Sequence, residues 1–161
     1  MNKVICFTRP DGGMSFILPA PKEHLERILG PLTEKAYWAH VYERNDWQLK
    51  DAVNVHECEH DELPHHDRDF RNAWETDGSR VSVSMPKARS IHMNRIRQAR
   101  NAKLEVLDRE YMKAVGRKQI TLADQIEAGR ETLRNLPQTF DLEQVQTPEE
   151  LKILWPTELM E

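Results

Sequence analysis

Apolar and polar positions alternate in two regimes along the chain. Through about residue 85 the apolar runs are short and punctuated. Residues 4–8 and 14–18 are two such runs, with Pro10-Asp11-Gly12-Gly13 between them. Asp-Gly-Gly supplies the positive-φ positions that a tight turn needs, so the pattern predicts a β-hairpin, ended by Pro19 and Pro21. From Lys22 the period lengthens. KEHLERIL places Leu25, Ile28 and Leu29 on one side of a helix, Gly30-Pro31 stops it, and Thr33 opens a second helix with Trp38, Val41 and Tyr42 toward the core. Residues 52–58 alternate as a third strand. Phe70 and Trp74 recur at helical spacing, residues 76–79 read as a turn, and residues 80–85 alternate again.

Beyond residue 85 the period becomes that of a long helix. Residues 86–115 contain no glycine, and the only proline lies in the first turn, where it is tolerated. Ile91, Ile96, Ala99, Leu104, Leu107, Tyr111, Ala114 and Val115 approximate one stripe over about 45 Å of helix. Gly116 is the expected end. Leu122, Ile126, Gly129, Leu133 and Leu136 then recur at spacings of four and three, a narrow seam for a second helix that Pro137 would end. A connection of a few residues makes the two helices antiparallel neighbours. Thr147-Pro-Glu-Glu has the form of a capping box before LKILWP. The expectation is an α+β chain: a small mixed head with a β-hairpin (1–85), a helical hairpin (86–137) and a C-terminal tail with a short helix (138–161).

Composition narrows the function classes. The 161 residues carry a formal net charge of -4, and 31% are charged. This argues against nucleic-acid binding as a whole-chain property. The exception is local: Lys87, Arg89, Arg95, Arg97, Arg100 and Lys103 precede the first acid of the long helix, without interleaved aromatics. A solvated face is the simpler account of that basic half. Two cysteines, Cys6 and Cys58, form no disulfide framework and fit a reducing compartment. No signal peptide and no membrane span are expected. None of the common nucleophile, phosphate-binding or dinucleotide-binding motifs occurs, so no catalysis and no cofactor are expected.

HECEHDELPHHD, residues 56–67, holds four of the seven histidines and one of the two cysteines. His56, Cys58 and His60 would share one face of a strand and are weak candidates for binding a transition metal. Structural zinc sites usually draw paired ligands from two segments, so the sequence favours a solvated polar connector and no metal.

Two further stretches carry a resemblance. LP-x-x-DR-x-FR-x-AW (residues 63–74) and MPKAR-x-IH-x-x-x-IR-x-AR (residues 85–100) resemble small proteins encoded beside tail genes in phages and prophages. The layout is similar to that of tail-fibre assembly proteins, with a β-containing head, a tryptophan before a turn (Trp74), a helical hairpin and a late Trp-Pro (Trp155-Pro156). The resemblance implies a chaperone or accessory protein that binds a tail fibre or receptor-binding protein and does no chemistry. The alternative it leaves open is a structural component of the tail or baseplate. It implies Leu154, Trp155 and Leu159 as partner anchors. Asp67, Arg68, Phe70, Arg71 and Trp74 would form a structural joint, with Asp67 capping the helix of Phe70 and Trp74. Self-association, and residence in the host cytoplasm or the virion tail, are further expectations.

Overall fold

The computed structural model describes residues 3–160. The chain is α+β and divides into two compact units, Met1–Ser84 and Met85–Glu161.

The first unit is built on a three-stranded antiparallel sheet in the order β2-β1-β3: β1 (Lys3–Thr8), β2 (Met14–Ile17) and β3 (Val53–Glu59). The β1–β2 connection is the expected turn. Gly12 takes φ +80°, and the Arg9 amide donates to the Gly13 carbonyl at 2.8 Å. Strand β1 is central and covered on both faces, which is why it reads as an unbroken apolar run rather than an alternating one. Ile5 and Phe7 point to one face, with Ile17, and meet Leu25, Tyr37 and Val41. These last come from α1 (Lys22–Leu29) and α2 (Glu34–Arg44), which a short turn α3 (Asp46–Leu49) follows. Val4 and Cys6 point to the other face, where they pack with Cys58, Leu63, Trp74 and Val81. That face is covered by a second hairpin, β4 (Trp74–Thr76) and β5 (Val81–Val83). Its turn is organised by Asp77, whose Oδ1 accepts from the amides of Ser79 and Arg80 at 2.8 and 2.9 Å. Those donors, with the Ser79 hydroxyl, hold the carboxyl down at about 2.

Two expectations about α1 and α2 change. Ile28 and Leu29 are exposed, and Leu25 alone is buried. At eight residues, ended by Gly30 at φ +84°, α1 is too short to bring a second turn onto the sheet. In α2, Val41 is buried as expected, but Tyr37 takes the other inner place, and Trp38 and Tyr42 lie half-buried. The Tyr37 hydroxyl donates to the Ala20 carbonyl at 2.8 Å, so the ring is buried with its polar end satisfied.

The second unit begins with α4 (Met85–Gly116) and α5 (Ile120–Thr139), an antiparallel pair. Gly116 is the last helical residue, but the left-handed position is Lys118, at φ +57°. The Gln119 amide bonds the Ala114 carbonyl at 2.9 Å and the Lys118 amide bonds that of Val115 at 3.0 Å, the paired bonds of a Schellman ending. The seam of α5 also shifts. Ala123, Leu133 and Leu136 are buried, whereas Leu122 and, across the turn, Val115 are exposed. Nor does Pro137 end α5. It lies in the last turn, where its missing N–H removes one bond, and the Phe140 amide still closes on Leu136 at 2.9 Å. Arg130 of α5 clasps α4 by pairing with Asp108 at 2.7 Å and lying over the Tyr111 ring at 4.6 Å. The tail packs back on α4 through α6 (Pro148–Ile153), which Thr147 and Glu150 open with the expected capping box. Leu142, Leu151 and Pro156 are buried by this return.

A β-carbon at Gly129 would meet only Leu107 Cδ1, at 3.9 Å, an ordinary contact. Gly129→Ala is therefore expected to stabilise the chain by about 0.5–1 kcal/mol through helix propensity. Lys118→Gly is expected to add a gain of about 1 kcal/mol by relieving the left-handed position. Chemical denaturation of each variant against the parent measures both.

Candidate functional site

The two motif stretches form parts of the cores. In the first, Leu63, Phe70, Ala73 and Trp74 are buried, and Trp74 Nε1 donates to the Asp67 carbonyl at 3.3 Å. Residues His65–Ala73 form a kinked 3-10 segment rather than an α-helix. Asp67 is buried and lies at the kink, with φ -108° and ψ 32°, and Pro64 stands at the start of the whole segment. Arg68 is exposed, and the Arg71 guanidinium lies 5.3 Å from the centre of the Phe16 ring. All five residues expected to form a joint belong to the first unit.

In the second motif, Ala88, His92 and Ile96 recur every four residues and make the buried stripe at the start of α4. Arg89 and His92 then fasten the returning tail. Arg89 donates to the carbonyls of Leu142 and Val145 at 3.0 and 2.7 Å and pairs with Glu143 at 2.7 Å. His92 Nε2 lies 2.8 Å from the Leu154 carbonyl, and its ring meets Trp155 edge-on at 5.1 Å. Because a carbonyl only accepts, Nε2 carries the proton. Further along, Lys103 donates to the Glu158 carbonyl at 2.7 Å. Two members of the basic half-helix, Arg89 and Lys103, are thus engaged by the chain's own tail. Leu154, Trp155 and Leu159, expected as partner anchors, are half-buried in this unit. The outward apolar residues of the tail are Ile153 and Met160. The fastening role of Arg89 and His92 escaped the sequence reading. The four-residue recurrence of Ala88, His92 and Ile96 is the signal in the sequence, and it is masked because histidine is more often exposed than buried.

The opposite end of the helical unit has a different surface. Met112 and Val115, three apart on α4, are exposed, as are Ile120 and Leu122 across the turn; Met112 is 68% and Ile120 72% accessible. Arg117 and Lys118 lie between them, also exposed.

HECEHDELPHHD is not a connector. It is the second half of β3 followed by two 3-10 turns. His56 and Cys58 lie on the sheet face that also carries Cys6, because β1 pairs with β3 in a register that sets Cys6 opposite His56 and Val4 opposite Cys58. The two sulfurs are 3.2 Å apart, and they and a ring nitrogen of His56 lie within 4.8 Å of one another. His60 is not part of this group. The strand ends at Glu59, so alternation stops there, and the His60 ring stacks on His65 at 4.3 Å instead. Cys6 takes the place that strand alternation assigned to His60. Burial in the apolar cluster raises both thiols above their ordinary range.

A bulge shapes the site. The β1–β3 register slips by one residue between Cys6 and Thr8, so β3 holds one extra residue there. Asn54, at φ 56°, lies within that stretch, and its Nδ2 donates to the Thr76 carbonyl at 3.0 Å. The Asn54 carbonyl accepts from His56 Nδ1 at 3.2 Å.

No protein family, curated protein or solved structure matches this chain. Among the described residues, no helix is long and apolar enough to cross a membrane.

The tail contacts give two expectations. Burial holds the His92 imidazole below its ordinary 6.5, with the nearby Arg95 adding to the effect and the Leu154 bond opposing it. The unfolded chain therefore takes up the proton first, and stability present above about pH 6.5 is lost as the pH falls. Thermal unfolding is expected at a lower temperature near pH 5.5 than near pH 7.5, and His92→Gln is expected to shrink that difference. Arg89→Ala leaves the Leu142 and Val145 carbonyls without their donor and is expected to cost about 2 kcal/mol. Limited proteolysis then cuts the tail beyond residue 139 faster than in the parent.

Proposed function

We propose that this chain is a phage tail-fibre assembly chaperone or accessory protein. It binds a fibre or receptor-binding protein through its helical unit and carries out no covalent chemistry. The observation that carries the reading is the exposed apolar end of the helical hairpin, Met112, Val115, Ile120 and Leu122, beside Arg117 and Lys118. Apolar groups inside a polar rim are the usual make-up of a protein-binding patch. The resemblance of residues 63–74 and 85–100 to phage tail-region proteins supplies the kind of partner. In this reading Trp155 and its neighbours Leu154 and Leu159 set the tail in place on α4, and the tail contributes Ile153 and Met160 as secondary contacts. The chain acts in the host cytoplasm during assembly and shields apolar surface on the partner until the fibre has assembled.

The test is co-expression with the fibre or receptor-binding protein encoded beside the gene. The fibre is expected to be soluble and assembled only with this chain present. Met112→Asp with Ile120→Asp is expected to abolish capture of the fibre while the far-ultraviolet circular dichroism stays that of the parent. A fibre that folds alone, together with binding of this chain to finished tails in fixed copy number, would replace the chaperone reading with that of a structural tail component.

A further inference from the structure

We propose that Cys6, His56 and Cys58 form a buried binding site for a thiophilic divalent cation, zinc(II), with the fourth position left to solvent. The site draws on two strands that are distant in sequence and adjacent in the sheet, and this is the two-segment supply that structural metal sites use.

The histidine is already set for coordination. A carbonyl can only accept, so the contact from His56 Nδ1 to the Asn54 carbonyl places the proton on Nδ1. Thr76 Oγ1, at 3.3 Å from the same nitrogen, adds a second polar neighbour. Nε2 is left with its lone pair, buried and without a hydrogen-bond partner. A buried ring nitrogen without a partner is costly, and a ring nitrogen of His56 lies within 4.8 Å of both sulfurs. Metal-binding histidines are oriented in just this way, by a backbone carbonyl on the other ring nitrogen. The bulge at Asn54 supplies that carbonyl.

The thiols complete the donor set. Tetrahedral zinc with sulfur at about 2.3 Å spaces two sulfurs by about 3.7 Å, so the pair, now 3.2 Å apart, needs to open by about 0.5 Å. Charge favours a divalent ion. Two thiolates and zinc(II) sum to zero, so a neutral group replaces two thiols and an unsatisfied nitrogen in the core. Both thiols are protonated at neutral pH, and binding therefore releases both protons to solvent. Cys58 borders a cavity of about 460 Å³ lined also by Glu62, Ser79, Arg80 and Val81, which gives the ion a route to this ligand.

The experiment uses the untagged full chain, reduced and stripped of metal, titrated with cobalt(II) and then zinc(II). Cobalt is expected to give a thiolate charge-transfer band in the near ultraviolet at one ion per chain, which zinc(II) abolishes. Zinc(II) is expected to release both thiol protons and to protect both thiols from alkylation in the native chain. Cys6→Ser, Cys58→Ser and His56→Ala each remove the cobalt band, whereas His60→Ala and His65→Ala keep it. Absence of the band in the reduced parent chain, its survival in either cysteine variant, or unprotected thiols in the parent with zinc(II) would overturn the assignment. The alkylation and proton measurements need no variant, so a variant that fails to fold leaves the test intact.

Discussion

The second unit depends on a mismatch of length. Helix α4 has 32 residues and its antiparallel partner α5 has 20, so the partner leaves about 12 residues of α4 uncovered. An apolar stripe left facing water gains nothing from the helix that presents it. The chain supplies the missing cover itself. After α5 it turns back, and Leu142, Leu151 and Pro156 close over the start of α4, where Ala88, His92 and Ile96 point inward. The irregular returning segment brings unpaired carbonyls with it. Arg89, His92 and Lys103 meet four of them, those of Leu142, Val145, Leu154 and Glu158. Side chains of one helix thus do for the tail what a neighbouring strand would do in a sheet.

The first unit solves the opposite problem. Its central strand has to be covered on both faces by elements too small to have cores of their own. Helices α1 and α2 cover one face, and the β4–β5 hairpin covers the other. The Cys6 and Cys58 thiols on the hairpin side therefore lie in apolar surroundings, and burial raises both above their ordinary range.

Much of this was legible in the residues. The first hairpin, the two helices split at Gly30-Pro31, the long helix and the capping box at Thr147 all follow from local signals that tertiary contacts do not override. What was not legible depends on register and on distance along the chain. Ile28 and Leu29 have the right spacing for burial, but spacing does not say how far a helix overlaps the sheet beneath it. His60 has the right parity to join His56 and Cys58, but the strand ends one residue before it. Cys6 is 52 residues from Cys58, and only the β1–β3 pairing brings the sulfurs together. Leu154, Trp155 and Leu159 look like free anchors in a sequence because nothing local shows that α4 holds them.

The contacts that hold the tail link residues 53 to 62 positions apart, whereas the turn joining α4 to α5 is closed within a few residues. Local contacts form quickly, and contacts that close long loops form late. The hairpin therefore assembles first, with Ala88, His92 and Ile96 still in water, and the strap docks afterwards. During that interval the start of α4 offers a second apolar surface that the finished protein conceals. The rate at which the tail docks therefore sets how long that surface stays open to self-association.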